Sequence, residues 1–198
     1  MISHKHNYIF IHLPKTAGLS IVQALTPFCD EQEYTHGHPF QSDYYKFFEA
    51  LPRSAEEYYQ FTFVRNPYSR LVSSYEYLKK GGQPCGYDLN ARDRLNLLNK
   101  TFKEFVKDFD PRDSAVHFIP QIDFFNKDID LVEIFKLETI NKDFEKICSK
   151  IKIPKQNVPH NNKSKHTHYT EYYDDETRQI VAEKYAKDIE YFGYEFGE

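Results

Sequence analysis

The stretch Pro14-Lys15-Thr16-Ala17-Gly18-Leu19-Ser20 gathers a cation, hydroxyls and a glycine between an apolar run and a helical pattern. Backbone N–H groups at a helix start lack intrahelical acceptors and sit at the positive end of the helix dipole. An anionic phosphate lodges there, and Lys15 and the Ser20 hydroxyl supply further donors. The physics is that of a P-loop. The ATP/GTP form GxxxxGK[ST] is absent, however, because Lys15 precedes Gly18 and Leu19 rather than a hydroxyl follows the glycine. An ordinary strand-to-helix turn with Lys15 solvated fits the same residues.

A second constellation runs Phe61-Thr-Phe-Val-Arg65-Asn66-Pro67-Tyr68-Ser69-Arg70-Leu71-Val72-Ser73-Ser74-Tyr75. Arg65 falls at the end of a strand pattern and Ser73 two turns into the following helix. The planar fork of an arginine and a compact hydroxyl suit a second phosphate above the sheet. The plainer alternative makes Arg65 and Arg70 surface ion-pair partners. A third feature, Tyr34-Thr35-His36-Gly37-His38-Pro39, sets imidazoles on either side of a glycine, as a loop presenting a proton acceptor to a cleft would. A metal site or a plain surface loop fits the same residues. His12 lies inside the first strand pattern and reads as a hydrogen-bonded core histidine. His117 and Gln121 stand either at an acceptor pocket or at a helix–loop junction.

Together the blocks HLPKTAGLS and FTFVRNPYSRLVSSY resemble the 5′-phosphosulfate and 3′-phosphate motifs of sulfotransferases that use 3′-phosphoadenosine 5′-phosphosulfate (PAPS). The likeness is greatest to the family that includes heparan and uronyl 2-O-sulfotransferases. It continues through PQIDFF, Ile134-Phe-Lys-Leu-Glu138 and the tail from Asn162 through Phe196. The resemblance implies that Lys15 contacts the phosphosulfate near its bridging oxygen, while the backbone of Thr16, Ala17 and Gly18 and the Ser20 side chain hold the 5′-phosphate. Arg65 and Ser73 would hold the 3′-phosphate, and Lys163, Ser164 and Lys165 match a late loop that closes over the nucleotide. Leu19 departs from the pattern, since many relatives carry Thr or Ser there. The 2-O-sulfotransferases have a similar His-Gly-His segment between their PAPS motifs, which implies His38 as the base and His36 as its support. The implied enzyme transfers the sulfuryl group of PAPS to a hydroxyl, on a carbohydrate or small glycan, and releases 3′,5′-adenosine bisphosphate. It needs no metal. A P-loop nucleotide kinase or other phosphotransferase, and a nucleotide-binding module without catalysis, are the competing readings.

The elements that must position these residues are legible as patterns. Positions 8–13, 61–64 and 131–137 read as buried strands. Residues 16–25 follow the first as a helix ended by Pro27. Asn66 as N-cap and Pro67 at the first helical position open another, closed by Gly81 and Gly82. Residues 83–99 read as a polar, mobile excursion after the helix, and 101–109 as a helix with Phe102, Phe105, Val106 and Phe109 on one face. Residues 157–170 read as loop. The last helix has Asp174 and Asp175 in its first turn and runs to Gly193 with Ile180, Val181, Tyr185 and Ile189 inward. Strands alternating with helices give an α/β fold, a three-layer P-loop-like domain whose central, mainly parallel sheet is flanked by helices. Its ligand belongs beyond the C-terminal strand ends.

Composition sets the outer bounds. The chain has 198 residues, 40% of them apolar and 28% charged, enough for one core and consistent with a single domain over 1–198. A net charge of −4 argues against a nucleic-acid or anionic-membrane binder, so any anion site must be local. It also gives no sign of a basic groove for a long polyanionic acceptor. Three cysteines without a CxxC pair read as free thiols. No apolar run reaches the roughly 18–20 residues that span a bilayer. No signal-peptide pattern precedes the first strand, and a cytoplasmic location is expected. With 17 Phe, 16 Tyr and no Trp, aromatic clusters such as Tyr44-Tyr45-Lys46-Phe47-Phe48 and Tyr172-Tyr173 must mostly fill the core.

Overall fold

The computed structural model describes residues 1–29, 54–83, 86–125, 129–159 and 167–198. Its strands are β1 (Ile2–Ser3), β2 (Tyr8–Ile11), β3 (Tyr59–Val64) and β4 (Val132–Lys136). Its α-helices, among these residues, are α1 (Gly18–Leu25), α2 (Pro67–Lys79), α3 (Gly86–Arg94), α4 (Phe102–Asp108), α5 (Ile140–Lys150), α6 (Asp175–Lys184) and α7 (Ala186–Phe192). The residues cluster into two compact units, Met1–Arg65 with Asp123–Lys163 and Asn66–Ile122 with Ser164–Glu198.

The first unit is built on the sheet. Strands lie in the order β1-β2-β3-β4, with β1 antiparallel to β2 and the other neighbours parallel. Phe10 sits opposite Phe61 and Phe63 opposite Phe135, so one face is a ladder of rings, with Phe10 and Phe61 stacked at 5.3 Å. Ile21, Val22 and Leu25 of α1 and Ile140, Phe144 and Ile147 of α5 join that cluster. Ile9, Ile11, Thr62 and Val64, on the opposite face, are buried as well. Burial on both faces is why these strands read as continuous apolar runs rather than alternating ones. The α/β fold with a mainly parallel sheet flanked by helices is therefore borne out. Because β2 and β3 are parallel, the residues that follow them, from His12 onward and Arg65, emerge at one end of the sheet.

The second unit is helical. Tyr75 and Leu78 of α2, Phe102 and Phe105 of α4, Phe109, Phe118, Val181 of α6 and Tyr185 form its core. Phe105 lies 4.6 Å from Phe109 and 5.0 Å from Phe118, centroid to centroid. Two expectations are corrected here. Residues 83–99 are not wholly irregular, since α3 spans Gly86–Arg94. It is held by one buried carboxylate rather than an apolar stripe: Asp88 accepts from the Gln83 amide at 2.9 Å and the Tyr77 hydroxyl at 2.9 Å. A Cβ on Gly82 would overlap that carboxylate, at 2.3 Å from Oδ2. The final helix is also two, broken at Tyr185 between α6 and α7, and Asp174 is its N-cap rather than part of its first turn.

Arg70 is not a surface ion-pair partner. It is 1% exposed and donates to the Ile119 carbonyl at 2.8 Å. Asp188 of α7, fully buried, accepts the backbone amides of Gln121 at 2.7 Å and Ile122 at 2.9 Å. Burial raises the Asp188 carboxyl above the usual carboxylate range, while Arg70 and these amides draw it back down. Burial likewise lowers the Arg70 guanidinium, and the neighbouring Tyr185 and Asp188 side chains oppose that shift. Buried amides left without an acceptor are costly, about 1–3 kcal/mol each. Asp188→Ala, which removes the acceptor of both the Gln121 and Ile122 amides, is expected to lower unfolding free energy by about 2–4 kcal/mol in urea denaturation. A loss below about 1 kcal/mol would mean that the network does not support the fold.

Candidate functional site

The turn between β2 and α1 has an unusual backbone. Lys15 and Ala17 both adopt left-handed conformations, with φ of 67° and 59°. Neither is glycine, and each such residue costs roughly 1–2 kcal/mol against the right-handed form. Alternation of this kind turns successive N–H groups toward one side and makes an anion-binding concavity. Ala17 is the N-cap of α1, and no side chain caps the helix. Its carbonyl accepts the amides of Ser20 at 3.0 Å and Ile21 at 3.1 Å. The first-turn amides ahead of them thus have no capping side-chain acceptor, as a phosphate cradle requires.

The side chains of the turn divide between scaffold and opening. Thr16 is fully buried and its hydroxyl donates to the Leu13 carbonyl at 3.0 Å, pinning the turn from inside. Gly18 is needed on the protein side: a Cβ there would lie 1.8 Å from Cδ2 and Nε2 of His12. His12 is buried and stacks on Phe10 at 5.8 Å, so it forms the floor of the turn. That packing role for His12 is signalled in the sequence only by a histidine within an apolar strand ahead of a glycine. Lys15 is half-buried, Leu19 is 52% exposed, and Ser20 is buried with no hydrogen-bond partner for its hydroxyl among the described residues.

Arg65 follows β3 directly and is half-buried. Its Nη1 donates to the Lys15 carbonyl at 3.4 Å, which places the guanidinium beside the turn, within the same unit. Ser73 belongs to the second unit, on α2, half-buried. The start of α2 is as its sequence implies, with Asn66 Oδ1 accepting the Tyr68 amide at 3.1 Å and Pro67 in the first turn. Asn66 also does something the sequence does not announce: its Nδ2 donates to the Glu195 carbonyl at 2.8 Å.

His117 and Gln121 are buried in the second unit. The Gln121 amide and side chain both reach Asp188, and the His117 carbonyl accepts from Ser74 at 2.9 Å. The His117 ring lies beside Tyr77, with Nδ1 3.9 Å from Asp88. His36, His38, Lys163, Ser164 and Lys165 lie outside the described residues. Among the described residues there is no group of His, Cys, Asp and Glu side chains able to hold a metal ion. Nor, among them, is any helix long and apolar enough to cross a membrane.

What the described part of the site offers is a strained, uncapped helix start with a lysine in the turn and an arginine beside it. That is an anion cradle without a carboxylate. Neither a curated protein nor a solved structure matches the chain. The family model described as "Sulfotransferase family" matches residues 1–195, and the chain belongs to that family.

Proposed function

We propose that this sulfotransferase takes its sulfuryl group from PAPS and passes it to a hydroxyl of a carbohydrate or small glycan, as a single catalytic domain acting in the cytoplasm. The observation that carries the donor assignment is the turn at 15–20, where left-handed Lys15 and Ala17 precede an uncapped α1. When bound, PAPS supplies an activated sulfuryl group on a phosphate leaving group. The backbone of Thr16, Ala17 and Gly18 and the Ser20 hydroxyl hold the 5′-phosphate, and Lys15 offsets charge that develops on its bridging oxygen. Arg65 and Ser73 take the 3′-phosphate. His38, supported by His36, accepts the acceptor proton as the new oxygen–sulfur bond forms. Lys163, Ser164 and Lys165 cover the nucleotide.

The rival P-loop kinase reading needs a hydroxyl directly after the lysine or the glycine of the turn to hold Mg²⁺. Thr16 is the hydroxyl adjacent to the lysine, and it is spent on the Leu13 carbonyl with no exposed surface. Leu19, after the glycine, has none. Lysine and arginine neutralise the donor instead, and this supports metal-independent binding.

Calorimetric titration is expected to show 3′,5′-adenosine bisphosphate binding equally well with and without Mg²⁺, and ATP binding poorly in both. Binding of ATP only with Mg²⁺ would favour the kinase. Arg65→Ala is expected to weaken the bisphosphate by about tenfold or more, the scale of one hydrogen bond to a charged group, while sparing adenosine 5′-phosphosulfate. Equal losses on both ligands would remove Arg65 from the 3′-phosphate. His38→Ala should lower turnover by about 10²–10⁴-fold with bisphosphate affinity unchanged. If His36→Ala does this and His38→Ala does not, the base is His36. Retained bisphosphate binding with no sulfuryl transfer by the unaltered chain, across a broad panel of hydroxyl acceptors, would point to a binding module.

A further inference from the structure

The segment 194–198 is clasped onto the first turn of α2. Phe196 enters a box of rings, meeting Tyr68 at 5.0 Å, Tyr173 at 5.4 Å and Tyr169 at 5.7 Å, each nearly edge to face, with the Arg178 guanidinium 5.5 Å from its centroid. Polar contacts fix the depth. Asn66 Nδ2 donates to the Glu195 carbonyl at 2.8 Å, the Gly197 amide donates to the Tyr169 hydroxyl at 2.7 Å, and that hydroxyl donates to the Glu198 carbonyl at 3.1 Å. Tyr173 closes the box by donating to the Tyr68 carbonyl at 2.9 Å.

Asn66 and Tyr68 are therefore doing double duty. One caps α2 and the other lies in its first turn, and both are gripped by the segment 194–198. Ser73 lies two turns along the same helix, about 10 Å from the cap at 1.5 Å per residue. A tilt of roughly 6° at the cap moves Ser73 by about 1 Å, and displacements of that size cost up to about a hundredfold where a charged group must be met in register.

We propose that Phe196 is a positioning residue for the donor's 3′-phosphate, acting through Asn66 and Tyr68 to aim Ser73. This rests on the assignment of Ser73 to that phosphate. A residue that merely stabilises the second unit would, on removal, weaken every nucleotide alike. A positioning residue affects the phosphate it serves.

The test compares 3′,5′-adenosine bisphosphate with adenosine 5′-phosphosulfate on the full chain, for the unaltered protein, Phe196→Ala, Phe196→Tyr and Tyr169→Phe, with thermal unfolding alongside. Tyr169→Phe removes only the hydroxyl that ties down residues 197 and 198, and serves if Phe196→Ala does not fold. Phe196→Ala is expected to weaken the bisphosphate about tenfold and the phosphosulfate less than twofold. Phe196→Tyr should restore the preference, and Tyr169→Phe should show a smaller loss of the same kind. Equal losses on both ligands, or no loss on either, would overturn the role of Phe196. If the unaltered chain itself shows no preference for the ligand with the 3′-phosphate, the donor assignment fails first and this inference with it.

Discussion

Lys15 and Ala17 are held in left-handed backbone, which nothing in their own side chains favours. The combined cost is a few kcal/mol, comparable with a sizeable fraction of a domain's net stability, so the surroundings must impose it. They do so from below. Thr16 is tied to Leu13, the His12 ring fills the space at Gly18, and Phe10 braces that ring. The turn therefore exists because the end of β2 is rigid, and β2 is rigid because rings and aliphatic side chains bury both of its faces. The aromatic ladder of the first unit is thus what converts an unfavourable loop conformation into outward-facing amides.

In the second unit the equivalent work is polar. α2 buries a stripe of Tyr68, Leu71, Val72, Tyr75 and Leu78, and its placement is sharpened by specific anchors: Asn66 at its start, buried Arg70 reaching the Ile119 carbonyl, and Ser74 bonded to the His117 carbonyl. Asp188 collects the chain at 121–122 with two backbone amides, and Asp88 does the same for the turn at Gln83. Such anchors are directional, so they fix rotation and register as well as proximity. A hydrophobic stripe alone would leave a helix free to slide by a turn. Within the unit, α2, α3 and α7 are each located by a buried charge, with aromatic rings filling the space between.

This division explains what was legible in the sequence. The strands at 8–11 and 59–64 announce themselves because a parallel strand buried on both faces is mostly apolar, and 132–136 by its β-formers although it is only half-buried. The cap Asn66-Pro67 and the turn 14–20 announce themselves through residue types that their backbone positions demand. α5 is not among the expected helices, although the helical period of Ile140, Phe144 and Ile147 along it is equally plain. α3 and the break at Tyr185 are not, because one depends on a carboxylate meeting a tyrosine and an amide, and the other on a change of path within a continuous apolar pattern. Arg70 shows the general difficulty. Nothing in the string RNPYSRLVSSY distinguishes the buried arginine from the half-buried one five positions earlier; only the fold does.

The same contrast bears on charge. A net −4 says that the surface as a whole repels polyanions, yet the proposed donor would have to be drawn to the turn at 15–20. Screening reconciles the two, since exposed charges beyond about 8–10 Å contribute little at physiological salt, whereas a helix start and cations on the rim act at contact distance. Several described lysines elsewhere are paired in place: Lys103 and Lys107 with Asp174 and Glu176, Lys150 with Glu133, Lys155 with Glu145. Pairing of this kind leaves fewer exposed cations to hold an anion elsewhere among the described residues. A phosphate bound at the turn, as proposed, would then be selected by backbone geometry rather than by excess charge.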